Sequence, residues 1–600
     1  MYPAHSVCRW KGRHTECAGY NENTPMTNAD IADIFDQVAD LLEFQDANPF
    51  RVRAYRNGAR TIRDLPESLA GIAADSDRKL TDIEGIGKDL GEKIATLLDT
   101  GSLPMLDELL REVPESVLSL MRIPGLGPKR AAAIHKQLHV NTLDDLRAAC
   151  EAHKVRGLKG FGVKTEEAIV EGLKFAAEAG TRVLWAEADQ YVVEILAHLW
   201  NCPAVEKIEA AGSYRRGKDT VGDLDFLAVA IDAGQVMDHL ASLPGLEEVL
   251  ARGGTKMSAR LDGGLQIDLR VVPDESFGAA MQYFTGSKAH NVVLRGLAKD
   301  RGLKINEYGV FRGDERIAGR TEEEVYAAVD LPCFPPELRE ARREFDWAAE
   351  GKLPQLIELD DIRGDLHMHS TWTDGLATIE EMVEAAKARG LQYIAMTDHS
   401  KRVTMVNGLD ADRLRRQWAE IDRLNERLDG ITVLKGVEVD ILERGGLDLP
   451  DDVLAEADWV NASIHYGQNQ SREQVTRRVI EALENPYVTA FAHPTGRMLT
   501  KRKPYEIDLD AVMRAARDHG KMLELNAHPL RLDLDDVACA QAKMYGIPVV
   551  ISTDSHRVEG LAAMRYGVLQ ARRGGLTKSD VANTRTWAEL RKGGRMKDEG

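Results

Sequence analysis

Long apolar runs are absent from this 600-residue sequence. A helix that crosses a membrane needs about 20 mostly apolar residues, and the sequence offers no such stretch. The first residues, MYPAHSVCRWKGRHTECAG, also lack the apolar centre of a secretory signal peptide. These absences argue against a membrane protein and a secreted one, so we expect a cytoplasmic protein.

Cysteine is the next scarce residue. The six cysteines are dispersed along the chain, which argues against a disulfide framework. Residues 1–26 contain four side chains of the types that bind zinc, namely His5, Cys8, His14 and Cys17. The same residues show no helical or strand periodicity, however, and the pattern favours a disordered extension over a zinc site.

An excess of positive charge is also missing. The formal net charge is −19, whereas proteins that bind nucleic-acid phosphates usually carry a basic surface. A nucleic-acid partner is not excluded, because one domain can be basic while others are acidic. Carboxylates that hold metal ions also attract phosphate once the ions are bound. The motifs therefore have to decide the function.

A short unit recurs three times between residues 80 and 175: IEGIGKDLGEKI, IPGLGPKRAAAI and LKGFGVKTEEAI. In each copy Gly-x-Gly permits a tight turn and leaves backbone N–H groups at a helix N-terminus, which attracts anions. One copy would be compatible with an ordinary turn between helices. The three copies resemble helix-hairpin-helix motifs, which implies a module that binds the DNA backbone without reading bases. Its predicted contact residues are Gly85, Gly87, Gly125, Gly127, Gly160 and Gly162.

Three carboxylates indicate a first catalytic centre. Asp223 and Asp225 begin an apolar strand, and Asp268 lies in a second one, LQIDLRVV. Residues i and i+2 of a strand share a face, and adjacent carboxylates repel unless a cation lies between them. The set suits two divalent ions in phosphoryl transfer. The spacing alone leaves open a surface Asp-x-Asp pair and an unrelated strand acid.

The residues before these acids suit a triphosphate. Gly212 and Ser213 offer a backbone turn and a hydroxyl, and Arg215 and Arg216 offer guanidinium groups. The segments GSYRRGKDTVGDLDFL and YFTGSKAHNVVLRGLAKDRGLKINEYGVF resemble the palm and thumb of family X DNA polymerases. The resemblance covers residues 27 to about 335.

The resemblance implies roles for individual residues. Asp223, Asp225 and Asp268 would hold Mg²⁺ or Mn²⁺, and Asp268 would also accept the proton of the primer 3′-hydroxyl. Lys288 and His290 are further candidate contacts to nucleotide or template. The implied contacts to the incoming nucleotide and the nascent base pair are Gly212, Ser213, Arg216, Tyr283, Phe284, Gly286, Asn291 and Arg295.

A Schiff-base lyase is a further expectation. Lys93 aligns with the lysine that attacks an abasic sugar in some family members. Such an amine must lose its proton, and Asp89 stands where those members have another lysine. Because Asp89 favours the charged amine, a lysine that merely contacts a phosphate is the alternative.

Metal-binding side chains cluster after residue 360, in DLHMHSTWTDG, AMTDHS, GVEVD, ASIHYG, FAHPTGR and STDSHR. Most clusters end an apolar, strand-like run, which is typical of an α/β barrel, where strand ends meet. A single histidine at such a position is more often structural, but a whole set predicts a metal centre. The candidate ligands are His367, His369, Asp374, His399, Glu438, His465, His493, Asp554 and His556.

These clusters resemble the PHP (polymerase and histidinol phosphatase) domain over residues 361 to about 575. The resemblance implies a distorted barrel with two or three ions, of Zn²⁺, Mn²⁺ or Fe²⁺. It also implies a 3′–5′ exonuclease, with abasic-site endonuclease and 3′-phosphatase as further candidate activities. Arg497 is a candidate to hold a second phosphate, and Asp398, Glu524 and His528 are candidates to support the ligands.

The predicted fold class is multidomain. It combines an α-helical helix-hairpin-helix region, an α/β nucleotidyltransferase palm with an α+β thumb, and a distorted α/β barrel. The predicted boundaries are 1–26 extension, 27–178 helix-hairpin-helix, 179–272 palm, 273–335 thumb, 336–358 linker, 359–585 PHP domain and 586–600 tail.

We expect a monomeric repair polymerase that fills short gaps, with gapped or primed double-stranded DNA and deoxynucleoside triphosphates as partners. A small-molecule phosphatase would use only the barrel, against which the repeats and the palm speak. A noncatalytic DNA-binding scaffold would need gaps in the acid or histidine sets, and the sequence shows none.

Overall fold

The structure is a computed structural model. It describes residues 28–64, 69–74, 78–83, 86–113, 120, 126–163, 165–167, 169–170, 173, 182–262 and 264–593. The described residues form two compact units: the first contains those up to residue 180 together with Thr404–Asn407, and the second contains the rest. The candidate zinc residues of the first 26 positions lie outside the described residues, as do Gly85 and Gly125.

The first unit is helical where it is described. Its helices are α1 (Asn28–Phe44), α2 (Pro49–Asp64), α3 (Leu69–Ala74), α4 (Lys88–Thr100), α5 (Pro104–Glu112), α6 (Pro128–Leu138) and α7 (Leu143–Glu151). Apolar residues spaced three or four apart give each helix a buried face. In α1, Ile31, Phe35 and Val38 are fully buried on that face.

The second unit begins with the region that the sequence predicts to be a palm. Its elements are β1 (Val183–Leu184), α8 (Trp185–Trp200), β2 (Val205–Ala210), α9 (Gly212–Arg215), β3 (Thr220–Val221), β4 (Asp223–Ala230), α10 (Ala233–Ala241), β5 (Leu246–Arg252), β6 (Lys256–Leu261) and β7 (Gln266–Val271). Five strands form a sheet in the order β2-β4-β7-β6-β5. Within it β4 and β7 are parallel, and the other pairs are antiparallel.

The region that the sequence predicts to be a thumb follows. It comprises α11 (Phe277–Thr285), α12 (Lys288–Asp300), β8 (Lys304–Asn306), β9 (Gly309–Arg312), β10 (Glu315–Ala318), α13 (Glu322–Ala327) and α14 (Glu344–Ala349). The three strands form an antiparallel sheet. Leu294, Tyr326 and Phe334 lie in a small core of their own, so the thumb packs around its own apolar residues.

The last region is a sheet of seven parallel strands in chain order. Its strands are β11 (Gly364–Met368), β12 (Tyr393–Met396), β13 (Thr432–Asp440), β14 (Trp459–Ser463), β15 (Ala490–Phe491), β16 (Met522–Asn526) and β17 (Val549–Ser552). The two edges meet, because the His369 amide donates to the Ser555 carbonyl at 2.8 Å and the Asp554 amide to the His367 carbonyl at 2.9 Å. The sheet is therefore a nearly closed barrel.

Helices cover the outside of this barrel and bury its apolar strands. They are α15 (Ile379–Ala388), α16 (Ala411–Asn425), α17 (Asp451–Leu454), α18 (Arg472–Glu484), α19 (Leu509–Asp518), α20 (Asp536–Tyr545) and α21 (Met564–Arg573). A further helix, α22 (Trp587–Gly593), packs through Leu590 in a separate apolar cluster with strand residues such as Leu366 and Tyr393. Short 3-10 helices occur at Leu80–Asp82, Val155–Gly157, Asp274–Ser276, Pro336–Leu338, Leu359–Asp361, Thr404–Val406, Val558–Ala563, Lys578–Asp580 and Ala582–Thr584.

The sequence predicts neither a membrane-spanning helix nor a disulfide framework. Among the described residues, no helix has both the length and the apolar character needed to cross a membrane. The described cysteines, Cys150, Cys202, Cys333 and Cys539, are free thiols, in agreement with the absence of a disulfide framework.

Candidate active sites

The three palm carboxylates meet because β4 and β7 are parallel neighbours. Their register places Asp225 directly opposite Asp268, and Asp223 opposite Gln266. Burial, together with the charges of Asp223 and Asp268, raises the pKa of Asp225 to about 7. Divalent cations would remove this repulsion, so the acids fit the metal site that the sequence predicts.

Asp268 is held by neighbours that the sequence did not single out. The Ser258 hydroxyl donates to one carboxylate oxygen, and the Gln266 amide donates to the other at 2.7 Å. The Lys256 ammonium lies 3.6 Å away. Ser258 is placed there by the pairing of β6 with β7, which no local pattern reveals.

The turn before β4 approaches Asp225 closely. Gly212 has φ +64, and a Cβ at this position would lie 2.3 Å from Asp225 Oδ2, so only glycine fits. The Ser213 hydroxyl is buried and has no hydrogen-bond partner in the described part of the chain. A buried hydroxyl without a partner is costly, and a ligand oxygen would satisfy it.

The two arginines of this turn differ in their contacts. Both terminal nitrogens of Arg215 donate hydrogen bonds to the Glu322 carboxylate, at 2.9 and 2.7 Å. One of them also donates a hydrogen bond to Thr285 Oγ1. The expectation that both guanidinium groups serve a triphosphate is therefore wrong for Arg215. Arg216 donates Nε to Glu340 at 3.0 Å and Nη1 to the Thr285 carbonyl at 2.8 Å.

The thumb residues predicted to contact nucleotide lie together around the end of α11. The Tyr283 and Phe284 rings are 5.1 Å apart, and the Arg295 guanidinium lies 5.9 Å from the Tyr283 ring centre. Asn291 donates to the carbonyls of Tyr283 and Gly286, at 2.7 and 3.2 Å, and so fixes the turn. Their contacts to nucleotide and base pair remain predictions.

His290 does not face a ligand. It is fully buried, with Nδ1 2.8 Å from the Glu344 carboxylate and Nε2 2.9 Å from the Tyr326 hydroxyl. Burial lowers its pKa although Glu344 opposes the shift. The predicted contact with nucleotide or template is therefore wrong, because this histidine belongs to the thumb core. Lys288 is exposed at the start of α12, and its contact remains a prediction.

The helix-hairpin-helix turns are described in part. Gly87 and Gly127 are the N-cap residues of α4 and α6, and the Gly162 carbonyl accepts the amides of Thr165 and Glu166 at 3.0 Å. Gly160 has φ +88 and is exposed. Where they are described, these glycines end the turns as the repeat predicts, and helix N-termini attract phosphate.

Lys93 is paired with the acid that the sequence pointed to. Its ammonium contacts Asp89 Oδ1 and lies 5.9 Å from the Tyr55 ring centre. Burial acts to lower the pKa of Lys93, but the interactions with Asp89 and Tyr55 together outweigh burial, and the pKa is raised. This environment favours the charged amine and speaks against a lyase nucleophile.

The barrel brings its predicted ligands to one end of the sheet. His367 lies on β11, Glu438 lies on β13, and most of the others directly follow a strand. His493 and Asp554 have φ +30 and +53, a strained conformation that is common at functional sites. Donor atoms within 4.8 Å of one another form three groups, His369–Asp374–His399–His556, His367–His369–Asp554 and His399–Glu438–His465.

The donor atoms have the chemistry that metal ions require. Nδ1 of His399 and Oε2 of Glu438 are 2.7 Å apart, yet neither makes a hydrogen bond with any residue that the structure describes. The same is true of other buried donor atoms, namely Nε2 of His367, Nδ1 of His369, Oδ1 of Asp374 and Nδ1 of His493. Unpaired buried imidazoles and carboxylates fit Zn²⁺, Mn²⁺ or Fe²⁺. The described residues therefore fit the predicted centre.

The protonation of these histidines is tied to metal binding. Burial, with His556 and His399 nearby, lowers the pKa of His369 to about 3, which keeps its lone pairs available. Burial also acts to lower the pKa of His399, but Glu438 and Asp374 raise it well above its ordinary value. A bound cation would displace that proton, so metal affinity should depend on pH.

Further acids orient the ligands. Glu524 lies 2.6 Å from His367 Nδ1 and accepts the His493 amide at 2.7 Å, as expected for a supporting residue. Asp440 lies 3.2 Å from His465 Nδ1. The sequence analysis missed Asp440, although it follows Glu438 by two positions on the same strand face.

The other predicted supports act differently. Asp398 accepts the amide and the hydroxyl of Ser370 and the hydroxyl of Thr373, so it holds the loop that leads to Asp374. His528 accepts the Leu530 amide at 3.2 Å, and no hydrogen bond joins it to a predicted ligand in the described part of the chain.

Arg497 is held by partners within the protein. Its Nε and Nη2 donate to the carbonyls of Arg531 and Leu532, and Nη1 lies 3.2 Å from Asp219 in the palm. The predicted phosphate contact is wrong, because all three nitrogens already have partners. Arg531 lies nearer the centre, with Nε 3.5 Å from Asp554 Oδ2.

Family models match four parts of the chain. A helix-hairpin-helix domain matches residues 26–103, and a SAM-like helix-hairpin-helix tandem matches 117–174. The DNA polymerase beta thumb matches residues 280–340, and the PHP domain matches 365–528. These matches confirm the predicted fold class.

Two relatives show how far the similarity extends. The chain is 41% identical over 569 residues to "DNA polymerase/3'-5' exonuclease PolX" of Bacillus subtilis, covering 94% of this chain and 99% of the relative. It is 31% identical over 234 residues to a probable phosphatase of Thermoanaerobacter sp., covering 37% of this chain and 89% of that protein. The first similarity spans all the regions described above, and the chain therefore belongs to the bacterial family X DNA polymerases that carry a C-terminal PHP domain.

Proposed function

We propose that this protein fills short gaps in DNA during repair and trims 3′ ends with its PHP domain. The observation that carries the proposal is the presence of two separate sets of metal-binding donors in one chain. One set is the Asp225–Asp268 pair with Asp223, and the other is the histidine-rich set at the end of the barrel. The Bacillus subtilis relative, whose name includes both activities, supports the same assignment.

In the palm, Asp223, Asp225 and Asp268 would hold two ions of Mg²⁺ or Mn²⁺. Such ions activate the attacking hydroxyl and neutralise the leaving phosphate. Asp268, whose oxygens are fixed by Ser258 and Gln266, accepts the proton of the primer 3′-hydroxyl.

The turn beside these acids binds the triphosphate. The unpaired Ser213 hydroxyl is available to donate to a phosphate oxygen. Nη2 of Arg216 has no hydrogen-bond partner among the described residues, since Glu340 and Thr285 use Nε and Nη1. A charge-assisted hydrogen bond from Nη2 would therefore orient the triphosphate tail.

In the barrel, the histidines and carboxylates would hold two or three ions of Zn²⁺, Mn²⁺ or Fe²⁺. Such ions polarise a phosphate oxygen and lower the pKa of a bound water. Glu524 and Asp440 hold the rings of His367 and His465 in place. The substrate is proposed to be the terminal phosphodiester of a DNA 3′ end.

Two other functions explain less of the molecule. A small-molecule phosphatase accounts for the barrel alone, and the similarity to the Thermoanaerobacter protein covers only 37% of this chain. A noncatalytic scaffold would not need the buried unpaired donors of the barrel. Neither alternative explains the palm carboxylates.

The proposal is tested on gapped DNA with a labelled primer, with and without nucleotides, in Mg²⁺ and in Mn²⁺. We expect extension across the gap when deoxynucleoside triphosphates are present and shortening of the primer when they are absent. Para-nitrophenyl phosphate is offered in parallel. Hydrolysis of that compound without any change in the primer would favour the phosphatase. The same samples, examined by light scattering, test the expected monomer.

A further inference from the structure

The palm turn that is proposed to bind the triphosphate is bonded to the PHP barrel. Arg573, the last residue of α21, donates Nη1 to the Arg216 carbonyl at 2.7 Å. The next residue, Gly217, has φ +69, and a Cβ there would lie 2.6 Å from Leu569 of α21. One end of a barrel helix therefore lies directly against the turn that carries Ser213 and Arg216.

A shared carboxylate strengthens this connection. Glu340 Oε1 accepts Arg216 Nε at 3.0 Å, and Arg573 Nη1 and Nη2 at 3.2 and 3.3 Å. Arg573 also donates Nη2 to Asp536 of the barrel at 2.5 Å. The side chain of Arg573 is 1% exposed and those of Arg216 and Glu340 are 13% exposed, so solvent screens these charges weakly.

The geometry makes Arg216 depend on the barrel. Glu340 fixes the plane of the Arg216 guanidinium, and this plane sets the direction of Nη2. Glu340 is in turn held by Arg573, whose position is set by Asp536. Without Arg573, the only guanidinium hydrogen-bonded to Glu340 in the described structure would be that of Arg216. The Arg216 carbonyl would also lose the hydrogen bond that it accepts from Arg573.

We propose that Arg573 is a positioning residue for nucleotide binding by the polymerase, acting through Glu340 and the Arg216 carbonyl. The proposal rests on the proposed function, because it requires that the palm turn receive a triphosphate. It gives the PHP barrel a second task besides trimming, which is to hold the nucleotide-binding turn of the palm. Among the described residues, Arg573 has hydrogen bonds to the Arg216 carbonyl, Glu340 and Asp536, and none to the palm carboxylates or the barrel ligands.

The test compares Arg573→Met with wild type in the full-length protein. Loss of the buried charge-assisted bonds should raise the KM for deoxynucleoside triphosphates about tenfold, with kcat and the KM for primed DNA changed less than about twofold. Trimming without nucleotides should remain at the wild-type rate. Arg573→Lys should give an intermediate KM, because an ammonium keeps the charge but not the fork of donors.

Arg572→Met is the matched control. Arg572 precedes Arg573 on α21 and also bonds residues outside the barrel helices, namely Glu337 and Glu358, at 2.7 Å each. Among the described residues, none of its hydrogen bonds reaches the turn at 212–219, so its loss should lower thermal stability without raising the KM for nucleotide. A general loosening of the contact between α21 and its neighbours would raise the KM for nucleotide in both variants alike.

Glu340→Gln provides a second route if Arg573→Met does not fold. Its neutral amide lacks the negative charge and holds the two guanidinium groups less strongly, so the KM for nucleotide should again rise. An unchanged KM in the Arg573 or Glu340 variants, or an equal rise in Arg572→Met, would overturn the proposal. If wild-type protein extends no primer at all, the proposed function fails instead, and the two failures are thus distinguishable.

Discussion

The palm and the barrel both place metal-binding donors by strand geometry, but they bury them differently. The palm uses carboxylates only, and Asp223 is exposed while Asp225 and Asp268 are half-buried. The barrel mixes imidazoles with carboxylates, and His367, His369 and Glu438 are almost completely buried. Oxygen ligands near solvent suit ions that enter with each nucleotide, whereas buried nitrogen ligands suit ions that stay bound. The difference suggests one centre that exchanges its ions and one that retains them.

Removing a palm acid should separate the two centres most clearly. In Asp225→Ala the site loses the carboxylate that lies between Asp223 and Asp268, and we expect primer extension to fall by at least about a thousandfold. Trimming of the same primer without nucleotides should stay within about twofold of wild type. Gel assays of both reactions provide the measurement, and a parallel loss of trimming would break the comparison.

The reverse experiment removes one charge from the barrel. Glu438 lies within 4 Å of His367, His369, His399, His465 and His493. Because Glu438→Gln takes a negative charge from the middle of this set, trimming should fall roughly a hundredfold. Bound metal, measured by mass spectrometry, should fall with it, while extension continues. Full metal content with normal trimming would show that Glu438 is not a ligand.

Glu322 is a buried acid that arginines, not metal ions, stabilise. Burial acts to raise its pKa, but Arg215 and Arg339 lower the pKa to about 2. Glu322→Gln leaves the buried Arg339 and the half-buried Arg215 without this carboxylate, and we expect a loss of about 3 kcal/mol in the free energy of unfolding.

The sign of the pH dependence follows from the lowered pKa. A carboxyl that is more acidic when folded stabilises the protein above its ordinary pKa of 4.5, and that contribution is lost as the pH falls toward 2. Urea denaturation of wild type and Glu322→Gln should therefore differ most at neutral pH and converge below pH 4.5. A difference that does not depend on pH would contradict the ion pair.

Removal of metal ions by a chelator should give the smallest expected difference between trimming and extension. After brief dialysis against a chelator, we expect the rate of trimming in fresh Mg²⁺ to retain most of its original value, since buried ligands release ions slowly. Extension should instead depend on the Mg²⁺ that is added to the assay. We expect the effect of metal removal on the rate of extension to be about ten times its effect on the rate of trimming. Equal and immediate loss of both activities after dialysis would show that the centres hold their ions alike.

Much of both sites could be predicted because their signals are local. The Asp223 and Asp225 pair, the His367 and His369 pair and the glycine turns each lie within a few residues, where strand and helix periodicity decide which side chains lie together. The resemblance then joined these short signals into one protein. The comparison with relatives agrees with that reading over 94% of the chain.

The errors all concern charged or polar side chains whose partners are distant in sequence. Arg215 was expected to bind phosphate and instead binds Glu322, which is 107 positions away. Arg497 bonds carbonyls 34 and 35 positions away, and His290 binds Glu344 inside the thumb. Residue type shows that a group can bind an anion, but it does not show whether an internal partner already occupies it.

Residue types and local patterns therefore indicate which donors exist and on which kind of element each one lies. The tertiary structure decided which of them meet. The register of β4 with β7 placed Asp268 against Asp225, barrel closure joined His369 to Asp554, and α21 brought Arg573 to the palm turn. Local periodicity is fixed by backbone geometry within a few residues, whereas these meetings depend on packing between segments that are far apart in the chain.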